Sequence, residues 1–475
     1  MSVIEVRNPF SGQIVFLEPS QTLDSVQLRI AAARAASRAW RKRTPSRRAE
    51  AVLQALQYFR DHKDAIAAAV TNEMGKPLAA AAAEVDYMIE RAEWMCRFAA
   101  DGALAPYELT RYRTDDFAGR IDFVAKGVVY IITPWNYPLF CAINGTLCAL
   151  LSGSAVLLKH TTTPSVGRHF ERAFGTLDGI EALLVNVVVD YEVSAQIIEH
   201  GDIDHVIFTG SVTGGCAIQA SAANRSMNPV RNPFIGCSLE LGSNDGAYVA
   251  EDADLESAVE WTVNIGRLHN SGQSCCAVKR VFVHHTLYDR YLDAAARAMR
   301  AQRSGDPTAP ETTLGPLFGG TNAVMSLQRM TEDALAKGAV AVTGGKTEQI
   351  GNALFLVPTL LANTRPDMTV LSEETFGPLL PVMKVDSDAQ AIDLVNASRY
   401  GLSASIFTRS RARAEQFIDA METGTVYVNR CNFVDARLGW IGHKNSGNGS
   451  IALSPLGLPA LSNLRSVNID PTMLR

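Results

Sequence analysis

The sequence predicts an α/β fold of more than one domain, built on a doubly wound parallel sheet. Two observations carry this. From Gly127 onward, buried-looking apolar runs alternate with helical patterns: Val128 to Ile132, Ala155 to Lys159, Leu183 to Val189 and His205 to Phe208 read as strands. Helices are expected between them, from about Pro138 to Leu151 and from near Gly214. Short continuous apolar strands joined by helices are the pattern of a parallel sheet covered on both faces. The second observation is length, since 475 residues exceed what one core holds.

The first hundred residues read as mainly helical after an extended lead. Thr44-Pro45 is a helix start, a capping hydroxyl followed by proline at the first helical position. Val52, Leu53, Leu56 and Phe59 then recur at helical spacing and are expected inside. Gly75 with Pro77 two residues later closes the next helix, and the alanine run 79–83 is helix-forming. After the four strands, Ser238-Leu239-Glu240-Leu241-Gly242 ends the first half. A second α/β stretch opens at Ala247-Tyr248-Val249 and runs to about Asn429, which puts a boundary near residue 242. The tail from Leu456 is apolar and β-capable.

Composition narrows the function classes. A net charge of −5 gives no nucleic-acid footprint, and the basic patch from Arg38 to Arg48 reads as a solvated helix face. The eight cysteines contain no CxxC pair and the nine histidines no HExxH, so no metal is expected. Scattered cysteines imply reduced thiols and a cytoplasmic location. The opening residues lack the apolar run of a signal peptide. The most apolar stretch, 128–158, is broken by Pro134, Asn136, Pro138, Asn144 and Gly153 and predicts no membrane span.

Chemistry is concentrated at a few turns. Asn270-Ser271-Gly272-Gln273-Ser274-Cys275 lies between a helical pattern (Leu255, Ala258, Val259, Thr262, Val263) and a β-branched run, Val278 to Val283. A thiol on such a turn can face a cleft and act as a nucleophile; a small buried hydrophobe is the other reading, and the one that suits Cys276. Glu240 sits among leucines, where desolvation raises a carboxyl pKa toward general-base use; alternation alone does not decide whether it points inward. Pro134-Trp135-Asn136-Tyr137-Pro138 is a rigid turn after a strand, and Asn136 can donate to a developing oxyanion or stabilise its own turn. Phe208-Thr209-Gly210-Ser211 runs into Gly214-Gly215 at a strand-to-helix junction, where backbone amides can meet a phosphate. Lys159 ends the second strand at the edge where open sheets bind ligands. Glu373-Glu374-Thr375-Phe376-Gly377-Pro378 sets carboxylates beside an aromatic turn.

Taken in order, these stretches resemble the NAD(P)-dependent aldehyde dehydrogenase superfamily over nearly the whole chain. Asn8-Pro9, Glu73-Met74-Gly75-Lys76-Pro77, Pro134 to Pro138 and Phe208 to Ser211 match first. Leu239-Glu240-Leu241-Gly242, Gly272-Gln273-Ser274-Cys275, Glu374 to Pro378 and Lys444-Asn445-Ser446-Gly447-Asn448-Gly449 follow. The resemblance implies a Rossmann-like cofactor-binding domain (1–108 and 127–242) and an α/β catalytic domain (243–440). It also implies a small β oligomerisation arm (109–126 and 456–475), whose strands would pair between subunits of a homodimer or homotetramer. It assigns Cys275 as the thiolate that attacks the aldehyde. Asn136 with the Cys275 amide becomes the oxyanion hole, and Glu240 the base that releases the acid from the thioester. NAD or NADP is the implied cofactor, with Lys159 and Glu374 at the riboses and Phe376 at the nicotinamide end. Trp135, Ser211, Gly210, Gly215 and Gly242 line its cleft.

There are departures from the pattern. NAD-preferring relatives often carry a glutamate three residues after the strand-end lysine; here it is Thr162, which does not repel a 2′-phosphate, so NADP is expected to be accepted. Gly242-Ser243-Asn244-Asp245 replaces the commoner Gly-Gly-Lys-Ser. Met227 to Cys237 looks expanded, and Leu438 to His443 replaces a Pro-Phe-Gly-Gly segment. Asn144 stands where an aromatic often shapes the substrate funnel, and Arg267, Arg430 or Arg437 is a candidate partner for a substrate carboxylate. A CoA-acylating relative shares the cysteine but typically lacks the glutamate; a non-catalytic binding protein of the same fold has no use for either.

Overall fold

The computed structural model describes residues 2–225 and 232–474; the first part of the expected expansion between Met227 and Cys237, residues 227–231, lies outside them. Five strands form the first sheet: β1 (Val128–Thr133), β2 (Ala155–His160), β3 (Leu184–Asn186), β4 (His205–Thr209) and β5 (Gly236–Glu240). Their order is β3-β2-β1-β4-β5, every neighbour parallel. All residues of β1 and β2 are buried, because helices cover both faces. In this order the chain reverses direction between β1 and β4, and the crevice outside their carboxyl ends is where such sheets hold ligands. Three helices matter to the site: α1 (Leu78–Ala100), α2 (Pro138–Ser152) and α3 (Val212–Asn224).

The second sheet has seven strands: β6 (Gly246–Val249), β7 (Arg280–His284), β8 (Val340–Thr343), β9 (Thr359–Ala362), β10 (Leu379–Val385), β11 (Ser403–Phe407) and β12 (Thr425–Val428). They lie in the order β8-β9-β10-β7-β6-β11-β12, parallel except for edge strand β8. The first sheet ends at Glu240 and the second begins at Gly246, so the two sheets meet at the short link that carries the Glu240 turn. Residues after the second sheet return to the first core, where Trp440, Leu453, Leu458 and Leu461 are buried.

Several expectations need correction. Leu53 is 40% exposed although Val52, Leu56 and Phe59 are fully buried; it lies at the margin of the stripe that packs on α1 and α2. Arg48 is not solvated. It is buried, donating from Nε to Leu151 O at 2.8 Å and from Nη1 to Arg43 O at 2.6 Å. The third strand is shorter than Leu183 to Val189, since only Leu184–Asn186 pairs. Helix α3 starts at Val212, earlier than Gly214, because Ser211 caps it by accepting from Gly214 N at 3.1 Å. The tail pairs within its own chain: Ser462–Ile469 runs antiparallel along Ala118–Ala125, in register from Ser462↔Ala125 to Ile469↔Ala118, with Tyr107–Glu108 on the far edge. Among the described residues no helix is long and apolar enough to cross a membrane.

The Glu73-to-Pro77 motif has a mechanical use. Gly75 takes φ +80°, turning the chain so that Lys76 enters the core as a fully buried partner of Glu84 on α1. Glu84 Oε1 in turn accepts from Leu139 N at 3.0 Å and Phe140 N at 3.2 Å, two of the free amides at the start of α2. Lys76 Nζ also sits 4.1 Å from the centre of the Tyr137 ring. One buried ion pair thus fixes where the Asn136 turn enters α2. Replacing Lys76 with methionine strands the Glu84 charge in the core. Breaking such a pair typically costs about 3–5 kcal/mol, and a large fall in the thermal unfolding midpoint is the expected result. A midpoint within experimental error of wild type would refute this role.

Candidate active site

The Cys275 turn is built from backbone that ordinary residues resist. The helix beginning at Leu255 widens into π-type turns over Glu260–Leu268, and three consecutive residues then adopt left-handed conformations: Asn270 (φ 53°), Ser271 (φ 56°) and Gly272 (φ 77°). Glycine is required at 272, where a Cβ would come within 2.4 Å of Gly377 O. Side chains hold the strained run. Asn270 Nδ2 donates to Gln273 O at 3.1 Å and to Asn136 O at 2.9 Å, while Ser271 Oγ donates to Gly315 O at 2.9 Å. The Asn136 turn and the Cys275 turn are thereby joined by one amide. The Asn136 side-chain amide itself donates to no described residue and is only 6% exposed.

Arg267 proves to be part of this scaffold. It is fully buried, donating to Gly272 O at 2.5 Å, Thr375 O at 3.2 Å, Thr375 Oγ1 at 3.2 Å and Val278 O at 3.3 Å. Both terminal nitrogens of its guanidinium are engaged by the loop, and it does not line the pocket of Cys275. Arg430 and Arg437 are both exposed. Arg430 lies against Trp261 and Phe433, and Arg437 is held by Asp435 at 2.6 Å.

The departure at Ser243-Asn244-Asp245 also has a structural account. Ser243 Oγ donates to Cys275 O, and Lys279 Nζ donates to the same carbonyl at 2.6 Å, to Ser274 O at 2.9 Å and to Ser243 Oγ at 2.7 Å. Asn244 Nδ2 reaches Leu371 O at 3.0 Å. Asp245 accepts from the Ser403 backbone at 3.0 Å and from its hydroxyl, and its own carbonyl accepts from Lys279 N and Arg280 N. These residues tie the Cys275 turn to the second sheet through Ser403 and Arg280. Sequence reading missed Lys279, although a lysine inside a buried β-branched run was the available signal.

Cys275 and Glu240 line one pocket, together with Cys141, Asn144, Ile207 and Trp440. Glu240 ends β5, is 9% exposed, and neither carboxylate oxygen has a hydrogen-bond partner. Burial alone pushes its pKa well above the usual carboxyl range. The Cys275 thiol is likewise held well above its ordinary value, through its hydrogen bond with the Cys276 thiol and through burial. Cys276 is buried, as expected, but is not merely apolar: its thiol donates to Asn432 Oδ1 at 2.9 Å. His269 meets the Tyr137 hydroxyl at 2.6 Å behind the turn; burial lowers its pKa to about 4, so it is neutral there.

The crevice at the sheet's carboxyl edge has features that fit a dinucleotide. Lys159 is 2% exposed, with its ammonium 5.0 Å from the Tyr191 ring centre and no described hydrogen-bond acceptor; burial lowers its pKa to about 8. The Thr162 hydroxyl nearby is buried and unpartnered. Gly210 and Gly215 leave room that a Cβ would close, against the Phe208 ring at 2.4 Å and Leu241 Cδ2 at 2.7 Å, beside the Ser211-capped start of α3. Gly242 packs against Glu374, whose Oε1 accepts from Ser243 N at 2.9 Å and lies 3.4 Å from Lys279 Nζ. Trp135 stacks on Phe318 with ring centres 4.5 Å apart and meets Phe376 edge-on at 5.7 Å. Phe318 escaped the sequence reading because nothing in its own neighbourhood marks it. Among the described residues no cluster of three or more His, Cys, Asp or Glu side chains is arranged to hold a metal.

Comparison with known proteins finds the same fold and a family match over nearly the whole chain. A model described as the aldehyde dehydrogenase family matches residues 1–467. An NADP(+)-dependent succinate-semialdehyde dehydrogenase of Deinococcus radiodurans is 32% identical over 469 residues, covering 98% of this chain and 94% of its own. A benzaldehyde dehydrogenase of Bacillus subtilis is 31% identical, covering 95% and 90%. The crystal structure of lactaldehyde dehydrogenase from Escherichia coli superimposes with a TM-score of 0.91 at 28% identity, covering 99% of this chain and 96% of that one.

Proposed function

The chain belongs to the aldehyde dehydrogenase family and is an NAD(P)-dependent aldehyde dehydrogenase, and on that footing we propose that Cys275, Glu240 and Asn136 carry the reaction. The observation that supports this most is the shared pocket of Cys275 and Glu240, with both Glu240 oxygens free of partners. The Cys275 sulfur attacks the aldehyde carbon as a thiolate, giving a thiohemiacetal. The Asn136 amide, without another described acceptor, and the Cys275 backbone N–H stabilise the oxyanion. Collapse of this adduct expels a hydride, leaving a thioester on Cys275. NAD or NADP, when bound, supplies the hydride acceptor. Glu240, once ionised, takes a proton from water; the water oxygen replaces the Cys275 sulfur and the carboxylic acid leaves.

Lys159 and Glu374 would hold the riboses, Ser211 and the glycines at 210, 215 and 242 the pyrophosphate side, and Trp135 and Phe376 the nicotinamide end. Thr162 supplies a hydroxyl in place of a carboxylate, which supports acceptance of NADP as well as NAD. We place the cofactor-binding unit at 1–108 and 127–242 and the catalytic unit at 243–440. The exposed arm sheet, with Leu464 67% exposed, supports a homodimer or homotetramer, and eight free cysteines support a cytoplasmic location.

The test is formation of reduced cofactor, followed by absorbance, with NAD and NADP separately across short aliphatic, aromatic and carboxylate-bearing aldehydes. Turnover to the free acid without CoA is expected. Product formed only when CoA is supplied would transfer the reading to an acylating enzyme.

A further inference from the structure

The pocket that holds Cys275 and Glu240 contains no lysine, arginine or histidine among its lining residues, but it contains the side chain of Asn144. The orientation of that amide is set by chemistry. Arg91 on α1 directs Nη1 at Asn144 over 3.0 Å, and a guanidinium offers only donors, so the atom facing it is Oδ1. The two amide hydrogens are what Asn144 has left for the pocket, and no described residue accepts them.

Arg91 is an unusual group to find there. It is 7% exposed, donates from Nη2 to Val434 O at 3.1 Å, and lies 4.3 Å from the centre of the Phe140 ring. Among the described residues no carboxylate is within ion-pair distance of it. Burial lowers its pKa to about 10, which leaves it cationic at neutral pH. Its nearest carboxylate field is that of Glu84, beyond ion-pair distance and already paired with Lys76, so a costly, unpaired buried cation stands behind the substrate pocket and reaches it through the Asn144 amide. Of the arginines expected near the mouth, Arg267 is engaged in the Cys275 loop and Arg437 on Asp435, while Arg430 is exposed and lies against Trp261 and Phe433, and none of the three lines the pocket.

We propose that Asn144 and Arg91 together recognise the carboxylate end of a semialdehyde. Asn144 donates its amide hydrogens to the carboxylate; Arg91 is a positioning residue that fixes the amide and supplies positive potential from behind it. The assignment rests on the aldehyde-oxidising reading of this pocket and adds the substrate class. It also explains how a pocket with no cation in its wall can favour an anionic substrate.

The experiment compares succinic semialdehyde with butanal, which has the same number of carbons and a neutral end. Wild type is expected to show a KM for the semialdehyde about ten- to hundredfold lower, the range of a hydrogen bond to a charged group. Asn144→Asp keeps the side-chain volume and gives Arg91 a counter-ion. It is expected to remove that preference, read as the ratio of the KM values for the two aldehydes in the same variant. Arg91→Met is expected to raise the semialdehyde KM with little change in kcat. Thermal unfolding of both variants separates loss of recognition from loss of fold, and Asn144→Ser serves if Arg91→Met does not fold. Equal use of both aldehydes by wild type, or variants that weaken both equally, would overturn the assignment. No turnover of either aldehyde would fail the dehydrogenase reading on which it stands, a result of a different kind.

Discussion

Cys275→Ala is expected to lower aldehyde oxidation by roughly four orders of magnitude or more, the scale on which a covalent catalyst depends on its nucleophile. The size of the effect follows from geometry as much as chemistry. Cys276 is the only sulfur adjacent in sequence, but it is buried and its thiol is engaged with Asn432, so it does not take over the attack. Nor does the substitution remove a support of the fold. The Cys275 carbonyl, which is what Ser243 and Lys279 bind, is retained by alanine. Cofactor affinity and the unfolding midpoint should therefore stay near wild type while turnover vanishes. Substantial residual oxidation by the purified variant would show that the thiol is not the nucleophile.

Glu240→Gln should separate the two halves of the reaction. The amide has the shape of the carboxyl but cannot take a proton from water, so reduced cofactor is expected to appear as one burst per active site. Steady turnover should then be slower by about 10²–10⁴-fold, the usual worth of a general base. The pH dependence has a definite sign. Because burial holds the folded Glu240 pKa above the ordinary carboxyl value, the residue is protonated and inert as a base below that raised pKa. Wild-type deacylation rises as pH climbs through it. The glutamine variant loses this limb, while any alkaline rise in the burst itself, which follows the raised Cys275 pKa, remains. Rapid-mixing measurements of burst amplitude and steady rate across pH test both statements. A variant that turns over at the wild-type rate without a burst would mean that water is activated elsewhere.

Much of this site was legible in the sequence, for physical reasons. Strands β1 and β2 are buried on both faces, so their apolar runs announce them. Gly272 marks left-handed backbone that side chains resist, Gly210 a turn where a Cβ would press on the Phe208 ring, and Glu240 among leucines is conspicuous because a carboxyl seldom goes there. What stayed hidden depends on distant partners. Arg267 looks like a surface cation until Gly272 and Thr375 are seen to consume it. Lys279 acts through Ser243, a residue of the segment whose departure from the usual pattern carried no meaning by itself. Arg91 and Asn144 lie on different helices and gain their significance only from the hydrogen bond between them. Leu53 and the short β3 are errors of periodicity at the edge of an element, where a pattern continues after the packing has stopped.

The pairing of Ser462–Ile469 with Ala118–Ala125, and the burial of Trp440, Leu453 and Leu458 in the first core, set an order of assembly. During synthesis β1 to β5 emerge long before the segment that closes their flank. Until then the strand 118–125 carries an unsatisfied edge, and part of the apolar surface faces water. The second sheet therefore emerges as an insertion between the first sheet and the segment that completes its core. Closure of that core waits for residues 440–469 to be made, and it depends on a pairing between strands far apart in sequence, a contact of the kind that slows folding.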